Sequence, residues 1–377
     1  MVCPLQRSGN ADDEPGLIAV SPDGSKVYVA GLSQGTGTDG DSVTIAYDTA
    51  TGDMVWLDRY VQSTSSIVLS PDGSRLFITG TGPGAGGLND FATKAFDAVT
   101  GTPLWSKLFH GPSQQTDFAS DVAISPDGLT VFVAGSSAEV IGNINYDWVT
   151  LAYAASNGNP VWLRRYNGAG NSNDYPFALV VSPDGSKVFV AGQTYSGTTR
   201  KDDYATAAYA VATGKPLWLK VYDGPGHDLD QAISIDASPD SSKVFVTGTS
   251  HGGSHILDYA TIAYDAGTGS SLWLRRYNGP GNVPDFAFVV VASPDGSKVF
   301  VTGYSGGGFT GDDYATLAYD ATTGSTAWLA RYDGPVHGAD YAHGLAVSPD
   351  GTRVYVTGES PYSTISDSDY ATIAYEA

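Results

Sequence analysis

Several kinds of residue and segment are scarce in this chain, and each scarcity bears on what the protein can be. Cys3 is the single cysteine among 377 residues, so no disulfide forms within the chain. No run of about 18 apolar residues occurs, so we expect no insertion into a membrane. The N-terminal segment lacks the apolar core of a secretion signal, which leaves an intracellular protein or one whose targeting segment has been removed.

Basic residues and glutamate are also few. Asp and Glu total 40 against 19 Lys and Arg, and the net charge is −21. Aspartate supplies nearly all of the acid, because glutamate occurs only at Glu14, Glu139, Glu359 and Glu376. Such a surface repels nucleic-acid phosphates and anionic lipid heads, so we expect no nucleic-acid partner. It is compatible with cations, and Ca²⁺ or another divalent metal is the cofactor that the composition allows.

What the chain has in abundance is repetition. A Ser-Pro-Asp phrase recurs at intervals of 49 to 57 residues, starting at Ser21, Ser70, Ser125, Ser182, Ser238, Ser293 and Ser348. A second phrase, close to Asp-Tyr-Ala-Thr-Leu-Ala-Tyr-Asp-Ala-Thr-Thr-Gly, begins at Asp41, Asp90, Asp147, Asp203, Asp258, Asp313 and Asp369. A tryptophan follows six of these aspartates by 15 residues, at Trp56, Trp105, Trp162, Trp218, Trp273 and Trp328. Seven copies of one unit therefore fill the chain.

Each unit predicts four short strands, rich in β-branched and aromatic residues and separated by Gly, Pro and Asp. In the sixth unit they cover 288–291, 298–302, 314–319 and 328–332. Tight turns join the first strand to the second and the third to the fourth, whereas long, variable loops make the other connections. Seven such antiparallel units predict one all-β domain, residues 1–377, with the fold of a seven-bladed β-propeller. The last unit lacks its fourth strand, and we expect residues 2–8 to supply it and close the ring.

The units resemble two known kinds of propeller repeat. Ala46-Tyr47-Asp48, followed by Thr51-Gly52 and Trp56, resembles the tryptophan-docking motif of the quinoprotein (PQQ-dependent) dehydrogenases. Variants of it occupy 95–105, 152–162, 208–218, 263–273 and 318–328. The whole unit looks like the repeat of bacterial seven-bladed propellers that carry a Val-Tyr-Val-Thr-Gly strand. These resemblances cover nearly the whole chain, and they imply that each tryptophan packs against the neighbouring blade.

Two rings of aspartates lie where variable loops enter strands. One ring begins the second phrase. The other lies eight residues before the turn serine, at Asp13, Asp117, Asp174, Asp230, Asp285 and Asp340, with Gln62 in the remaining unit. Such an acidic ring can bind Ca²⁺, which takes six to eight oxygen ligands. Each aspartate can equally cap its own loop by accepting backbone N–H bonds, and the sevenfold repetition favours capping.

Histidines mark where the copies differ. His227 lies in the loop that enters the fifth unit, and His251 and His255 lie in the loop after its second strand, beside Asp228 and Asp230. These five residues are the candidate metal site, because imidazoles and carboxylates together bind transition metals or transfer protons. Solvated loop histidines are the alternative, since no tight spacing motif is present. His343 is the one candidate for a catalytic residue, with a packed, hydrogen-bonded histidine as the alternative.

The variable loops carry the candidate binding residues, namely Tyr195, Tyr304, Phe309, Tyr362, His337 and Asp340. Their aromatic rings suit contacts with a sugar or a peptide. We therefore predict a non-catalytic, secreted or otherwise extracytoplasmic monomer that presents its variable-loop face to a protein or a glycan. No nucleophile elbow, phosphate loop or zinc-ligand spacing occurs, which favours a protein that is not an enzyme.

Two enzymatic alternatives stay open. Seven-bladed lactonases share the Ser-Pro-Asp-Gly turn, so a metal-assisted lactonase or related hydrolase at the channel mouth is one of them. Those enzymes rely on His, Glu and Arg, and glutamate is scarce here. A quinoprotein-type dehydrogenase is the other. Such enzymes generally have eight blades and often a disulfide between adjacent cysteines, whereas this chain has seven units and one cysteine.

Overall fold

The computed structural model describes residues 13–33, 41–60, 63–84, 88–113, 115–140, 143–197, 202–253, 256–307, 311–361 and 368–377. The regular structure of these residues consists of β-strands. In the described part of the chain there is no helix of the length and hydrophobicity needed to cross a membrane. Two compact units are distinguished, the first extending to Asn167 and including Ser172–Pro176, the second comprising Gly168–Asn171 and Phe177–Ala377.

The first unit contains three four-stranded sheets. The first sheet is β1 (Asp13–Val20), β2 (Lys26–Ser33), β3 (Asp41–Asp48) and β4 (Met54–Tyr60). The second is β5 (Ser63–Leu69), β6 (Arg75–Pro83), β7 (Asn89–Asp97) and β8 (Pro103–Phe109). The third is β9 (Phe118–Ile124), β10 (Thr130–Val140), β11 (Asn143–Ala154) and β12 (Pro160–Tyr166).

The second unit contains the remaining sheets, apart from the first two residues of β13. The fourth sheet is β13 (Tyr175–Val181), β14 (Lys187–Tyr195), β15 (Asp202–Ala210) and β16 (Pro216–Tyr222), and the fifth is β17 (Asp230–Ala237), β18 (Lys243–His251), β19 (Leu257–Asp265) and β20 (Ser271–Tyr277). The sixth is β21 (Asp285–Ala292), β22 (Lys298–Gly306), β23 (Asp312–Asp320) and β24 (Thr326–Tyr332). The last has three described strands, β25 (Tyr341–Val347), β26 (Arg353–Pro361) and β27 (Ser368–Glu376).

The strands of each sheet follow chain order, and neighbouring strands are antiparallel. The predicted fold class, a seven-bladed β-propeller of four-stranded antiparallel blades, is thereby confirmed, and the sheets are numbered here as blades 1 to 7. Three strands of blade 7 are described. Tyr370 in its edge strand is 83% exposed, whereas Tyr314 at the same position of blade 6 is fully buried. Residues 2–8, the predicted fourth strand of blade 7, lie outside the described residues, so that assignment stays a prediction.

The Ser-Pro-Asp phrase forms the tight turn between the first two strands of each blade, followed by Gly in six blades and by Ser241 in blade 5. In blade 6 the N–H of Gly296 donates to the carbonyl of Ser293 at 2.9 Å, and Gly296 has a φ of 70°. The Asp295 carboxylate accepts the Ser293 hydroxyl at 2.6 Å and the Ser297 N–H at 2.9 Å. These bonds stabilise the ionised carboxylate and lower the pKa of Asp295 to about 2. The phrase therefore serves the hairpin, as its spacing predicts.

The tryptophans join neighbouring blades, as the docking motif implies. Trp273 is buried, and its indole N–H donates to the carbonyl of Ala321 in the next blade at 3.2 Å. Its ring lies against the turn glycine Gly324, where an added Cβ would be 2.6 Å from the ring. The same N–H bond joins Trp56 to Ala98, Trp105 to Ala155 and Trp218 to Ala266. The turn between the third and fourth strands of one blade therefore packs against the tryptophan ring of the preceding blade.

The glycine that follows Val-Phe-Val-Thr in the second strand has a packing role. Gly303 pairs with Ala287, and a bulge between Ala287 and Val289 bends the first strand towards it. An added Cβ on Gly303 would collide with the Phe286 carbonyl oxygen. A bulged first strand faces a glycine in the same way at Gly31, Gly80, Gly248 and Gly358. The bulge ends the regular pairing near the variable loops and turns the side chains there.

A partly buried carboxylate joins blades 5 and 6 and makes stability depend on pH. Asp236 accepts the N–H of Ala292 at 2.8 Å and that of Ala237 at 2.8 Å, and burial raises its pKa from 3.8 to about 6. Because the folded state holds the proton more tightly than the unfolded chain, this group stabilises the fold most below pH 4 and loses that effect as pH rises through 6.

We expect Asp236→Asn to remove the titration while keeping one acceptor oxygen, so one of the two N–H groups now accepted by Oδ1 and Oδ2 loses its bond at every pH. Between pH 4 and pH 7 the free energy of unfolding of the wild type should fall relative to the variant, by up to about 3 kcal/mol. Urea unfolding at a series of pH values measures this difference. Asp295→Asn is the control of opposite sign, because a carboxylate with a lowered pKa stabilises the fold above pH 4 and loses that effect as pH falls towards 2. Parallel pH profiles for wild type and Asp236→Asn would contradict the assignment.

Candidate functional site

The second aspartate ring caps the loop that precedes each first strand. Asp340 is fully buried, and its carboxylate accepts the N–H of Gly334 at 2.7 Å. Asp230 is also fully buried and accepts the N–H groups of Gly224 at 2.6 Å and His251 at 3.1 Å. Equivalent bonds run from Gly111 to Asp117 and from Gly279 to Asp285. The capping role that the repetition favours is present at these four places.

The two aspartate rings converge at the blade junctions. The aspartate at the start of a third strand, the residue just after the fourth strand and the capping aspartate of the next blade bring their ligand atoms within 4.8 Å of one another. Three such groups are found among the described residues, namely Asp90, His110 and Asp117; Asp203, Asp223 and Asp230; and Asp313, Asp333 and Asp340. Sequence spacing shows each ring, but it does not show that they meet, because their members come from adjacent blades.

An arginine neutralises the third-strand aspartate in two of the blades. Arg331 Nη2 lies 2.8 Å from Asp313 Oδ2, and Arg276 Nη2 lies 2.8 Å from Asp258 Oδ2. Both arginines stand three residues after the docking tryptophan, next to the aspartate strand. Blade 4 has Val221 at that position. The charge balance of the junction therefore differs between blades.

Asp203 in blade 4 has no arginine at this position of its own blade. It is 2% exposed, and it forms no ion pair with a described residue. Its Oδ1 has no hydrogen-bond partner within the described ranges, although Ser196 donates to the carboxylate. Burial raises the pKa of Asp203 to about 6, and the neighbouring charges of Asp223 and Asp230 add to the shift.

Two of the predicted histidines occupy one repeated loop position. His227 Nδ1 lies 2.7 Å from Asp223 Oδ2, and His337 Nδ1 lies 2.7 Å from Asp333 Oδ2. Both have positive φ values, 48° and 52°. In blade 5 the corresponding pair is Asn278 and Asn282, also joined by a side-chain hydrogen bond of 3.0 Å. The His-Asp pairs thus replace an Asn-Asn pair in the same loop, and both imidazoles are about two-thirds exposed, at 67% and 69%.

The predicted metal-site histidines that the structure describes contact different aspartates. His251 Nδ1 lies 3.0 Å from Asp228 Oδ2, and the His251 N–H donates to Asp230. The His227 ring instead lies against Asp223, which sequence reasoning did not select. His255 lies outside the described residues, so the full five-residue site stays a prediction. Aligning the loops by repeat position is the signal that would have found Asp223.

A cluster of aromatic side chains lies at the variable-loop end of blades 6 and 7. It consists of Phe286, Phe288, Tyr304, Tyr341 and His343, and we call it the aromatic platform. Tyr304 contacts Phe286 at 4.9 Å, Phe288 at 5.5 Å and Tyr341 at 4.7 Å between ring centroids. The His343 ring stacks on Phe288 at 5.7 Å with an interplanar angle of 22°. The four aromatic residues other than His343 are half-buried, so they are supported from below while part of each ring meets solvent.

Acidic groups lie at the edge of the platform. His343 Nε2 is 3.7 Å from Glu359 Oε1, and both side chains are about half exposed, at 53% and 54%. Tyr341 interacts with the Asp312 carboxylate, and its pKa is raised by burial and by that charge. Burial raises the pKa of Tyr304 to about 12. Both phenols are therefore protonated at neutral pH and carry donors next to carboxylates.

The predicted binding residues fall in different parts of the structure. Tyr304 lies in the platform, and His343, the candidate catalytic residue, stacks on Phe288 there. Tyr195 packs over Gly170 in blade 4, where an added glycine Cβ would collide with its ring, so it lies apart from Tyr304. Phe309 and Tyr362 lie outside the described residues and stay predictions.

Sequence reasoning missed Phe286, Phe288 and Tyr341 as site residues. They belong to first strands, whose apolar residues are typical of a core, and they lie beside the bulges opposite Gly303 in blade 6 and Gly358 in blade 7. The available signal was weak, since blade 5 has Ile233 at the position of Phe288 but blade 4 carries the aromatic residues Tyr175 and Phe177 at the positions of Phe286 and Phe288.

Comparison with known proteins decides the family. The model of the PQQ_2 family, described as outer membrane protein assembly factor BamB, matches residues 7–258 and 258–377. The chain belongs to this family. Membership in this BamB family agrees with the PQQ-type repeat inferred from the docking motif. No curated protein sequence matches the chain.

Solved structures similar to this BamB-family protein are propellers with low sequence identity. Hydrazine synthase of Kuenenia stuttgartiensis has a TM-score of 0.62 at 15% identity, over 96% of this chain and 94% of that one. BamB from Moraxella catarrhalis has a TM-score of 0.53 at 17% identity, over 90% and 79%. Chaetomium thermophilum Sqt1, solved bound to the N-terminus of ribosomal protein L10, has a TM-score of 0.56 at 15% identity, over 97% of each chain. These likenesses support the fold and leave the function to the residues of the site.

Proposed function

We propose that this protein is a non-catalytic, extracytoplasmic binding module whose aromatic platform recognises a basic segment of a partner protein. The observation that carries the proposal is the platform itself, a group of half-buried rings at the variable-loop end of two adjacent blades with carboxylates at its edge. The description of the family as an outer membrane protein assembly factor supports a place outside the cytoplasm and a protein as partner.

The chemistry of the platform favours a cationic ligand. The faces of Tyr304 and Tyr341 are electron-rich, and an Arg or Lys side chain within about 6 Å of such a ring is attracted to it. Glu359 and Asp312 lie where the charged end of that side chain can form an ion pair. Aromatic anchors of this kind contribute most of the binding energy in many protein interfaces.

The charge of the whole molecule acts in the same direction. A net charge of −21 attracts basic partners and repels acidic ones, and it raises the rate of encounter with the former. The propeller fold supports this use, because Sqt1 was solved with a protein segment bound. A glycan that stacks its sugar rings on the platform is the competing ligand, and the experiment separates the two.

We expect a peptide of alternating Arg and Gly to bind the purified protein, with an affinity that falls as salt is raised. Tyr304→Ala and Tyr341→Ala should each weaken binding by about tenfold or more, because each removes a ring that the cation contacts. Isothermal titration calorimetry at two salt concentrations measures both effects. Tyr195→Ala is the matched control, since that ring packs on blade 4 away from the platform, and it should bind as the wild type does.

The same titration with a panel of neutral oligosaccharides tests the alternative. Binding of an oligosaccharide but not the peptide, with loss in Tyr304→Ala, would replace the protein partner by a glycan. Equal affinity of the peptide for wild type, Tyr304→Ala and Tyr341→Ala would contradict the platform as the binding site.

A further inference from the structure

A cavity lies where the fourth strand of blade 4 meets blade 5. Its volume is about 200 Å³, and it is lined by Lys220, Val221, Tyr222, Ile262, Tyr264, Gly269, Ser271 and Leu274. Strand β16 supplies one wall, and β19, β20 and the turn between them supply the other. An apolar cavity of about 150 Å³ is large enough for benzene, so this one admits a single aromatic ring.

Most of the lining is apolar or aromatic. Ile262 and Tyr264 are 2% and 4% exposed, so they close the cavity towards the core of the junction. Tyr222 and Leu274 are half-buried, and Val221 is 46% exposed and lies where the cavity meets solvent. A concave lining of this kind favours an aromatic ring over a hydrated ion.

Lys220 brings a positive charge to this apolar surface. Its aliphatic stem lies across the turn at Gly269, where an added Cβ would be 2.8 Å from Lys220 Cε. With respect to the residues that the structure describes, the ammonium group forms neither an ion pair nor a hydrogen bond. An ammonium group in this position can form a charge-assisted bond to the carboxylate of a ligand.

The junction between blades 5 and 6 shows a different use of the same position. Arg275 stands there in place of Lys220. Its guanidinium donates to the carbonyls of Gly324 at 2.7 Å and Thr323 at 2.8 Å, so the turn of the next blade takes up its donors. The residue that follows is also arginine in blade 5, whereas blade 4 has the smaller Val221. Blade 4 therefore combines a shorter side chain at the opening with a cation that no turn carbonyl holds.

We propose that this cavity binds a small aromatic carboxylate, with its ring against the apolar lining and its carboxylate on the Lys220 ammonium group. The volume sets the size of the ring, and the lysine selects an acid over an alcohol or an amine. Because the chain as a whole carries a charge of −21, an anion needs a local cation to be retained. The site lies apart from the platform of blades 6 and 7 and takes a ligand of opposite charge, so the inference does not rest on the proposed function.

Fluorine NMR of 4-fluorobenzoate mixed with the purified protein tests the site, because the fluorine signal shifts and broadens when the ligand is bound. Wild type should bind with a dissociation constant of about 1 mM or lower, as expected for a ligand of about ten non-hydrogen atoms. The neutral 4-fluorobenzyl alcohol and the cationic 4-fluorobenzylamine keep the ring and change the charge. Each should bind about fivefold more weakly or worse, since neither forms the bond to Lys220.

Variants at two lining positions separate the charge from the cavity. Lys220→Met keeps the aliphatic stem and should reduce the affinity for the acid to that for the alcohol. Lys220→Glu should reverse the preference and favour 4-fluorobenzylamine. Val221→Trp fills the opening from an exposed strand position and should weaken the binding of all three compounds. Lys298→Met, in the second strand of blade 6, is the control for loss of a lysine as such and should bind as wild type does.

Far-ultraviolet circular dichroism first establishes that each variant is folded. Equal affinity of wild type and Lys220→Met for 4-fluorobenzoate would overturn the role of the lysine. Wild-type affinity in Val221→Trp would place the ligand elsewhere and overturn the cavity as the site. Absence of binding to wild type at about 10 mM ligand, ten times the expected dissociation constant, would overturn the proposal as a whole.

Discussion

Trp273→Ala should lower the free energy of unfolding by about 3–5 kcal/mol. The side chain is 6% exposed, its N–H donates to the Ala321 carbonyl, and its ring packs against Phe245 and Tyr319, both 5.9 Å away. Alanine removes all of these contacts and leaves a cavity between blades 5 and 6, with the Ala321 carbonyl unsatisfied. Urea denaturation monitored by far-ultraviolet circular dichroism, a signal that does not depend on tryptophan fluorescence, measures the loss.

Two further variants separate packing from hydrogen bonding at this position. Trp273→Phe keeps most of the ring but removes the N–H, and it should cost less than the alanine variant. Trp328→Ala is the matched control, because the Trp328 indole N–H has no partner among the described residues although its ring contacts Phe300 and Tyr375. A loss below about 1 kcal/mol for Trp273→Ala would show that the tryptophan does not join the blades.

Gly303→Ala should destabilise the protein by about 3 kcal/mol, because backbone and not a flexible side chain stands where the new methyl group would lie. The Phe286 carbonyl oxygen blocks that space, and the Ala287 Cα would be 2.9 Å from the added carbon. The first strand of blade 6 must then move, and the platform ring of Phe286 moves with it. We expect the variant to unfold at lower urea concentration and to bind the Arg-Gly peptide more weakly.

Gly253→Ala is the control for glycine substitution as such. Gly253 is exposed, and nothing lies within 4 Å of the position of its missing Cβ. Its stability should stay within about 0.5 kcal/mol of wild type. Equal stability of Gly303→Ala and Gly253→Ala would mean that the bulge is free to adjust and does not fix the first strand.

Much of the fold follows from local chemistry that is visible in the sequence. Ser293, Asp295 and Gly296 specify a turn whatever surrounds them, because their hydrogen bonds lie within five residues of one another. The spacing of Trp273 from its own aspartate indicates one equivalent junction per unit, and the N–H bond to Ala321 confirms that use. Strand ends were less predictable, and β22 extends to Gly306 because pairing with β23 continues past the apolar run.

The site depended on contacts between blades, which sequence spacing does not contain. Asp203 and Asp230 are 27 positions apart, and nothing in either phrase shows that their carboxylates share one junction with Asp223. The platform likewise gathers Phe286 and Tyr304 from one blade and Tyr341 from the next. Such groups form only when the sheets have packed.

The sequence by itself determined the number of blades, the order of their strands, the hairpins and the docking tryptophans, because each rests on interactions that repeat at a fixed spacing. Tertiary structure decided which departures from the repeat matter. Phe286, Phe288 and Tyr341 are ordinary strand residues in the sequence, and they become significant because blades 6 and 7 bring their rings together with Tyr304. Which rings share one surface is a property of the packed blades, and it exists only after folding.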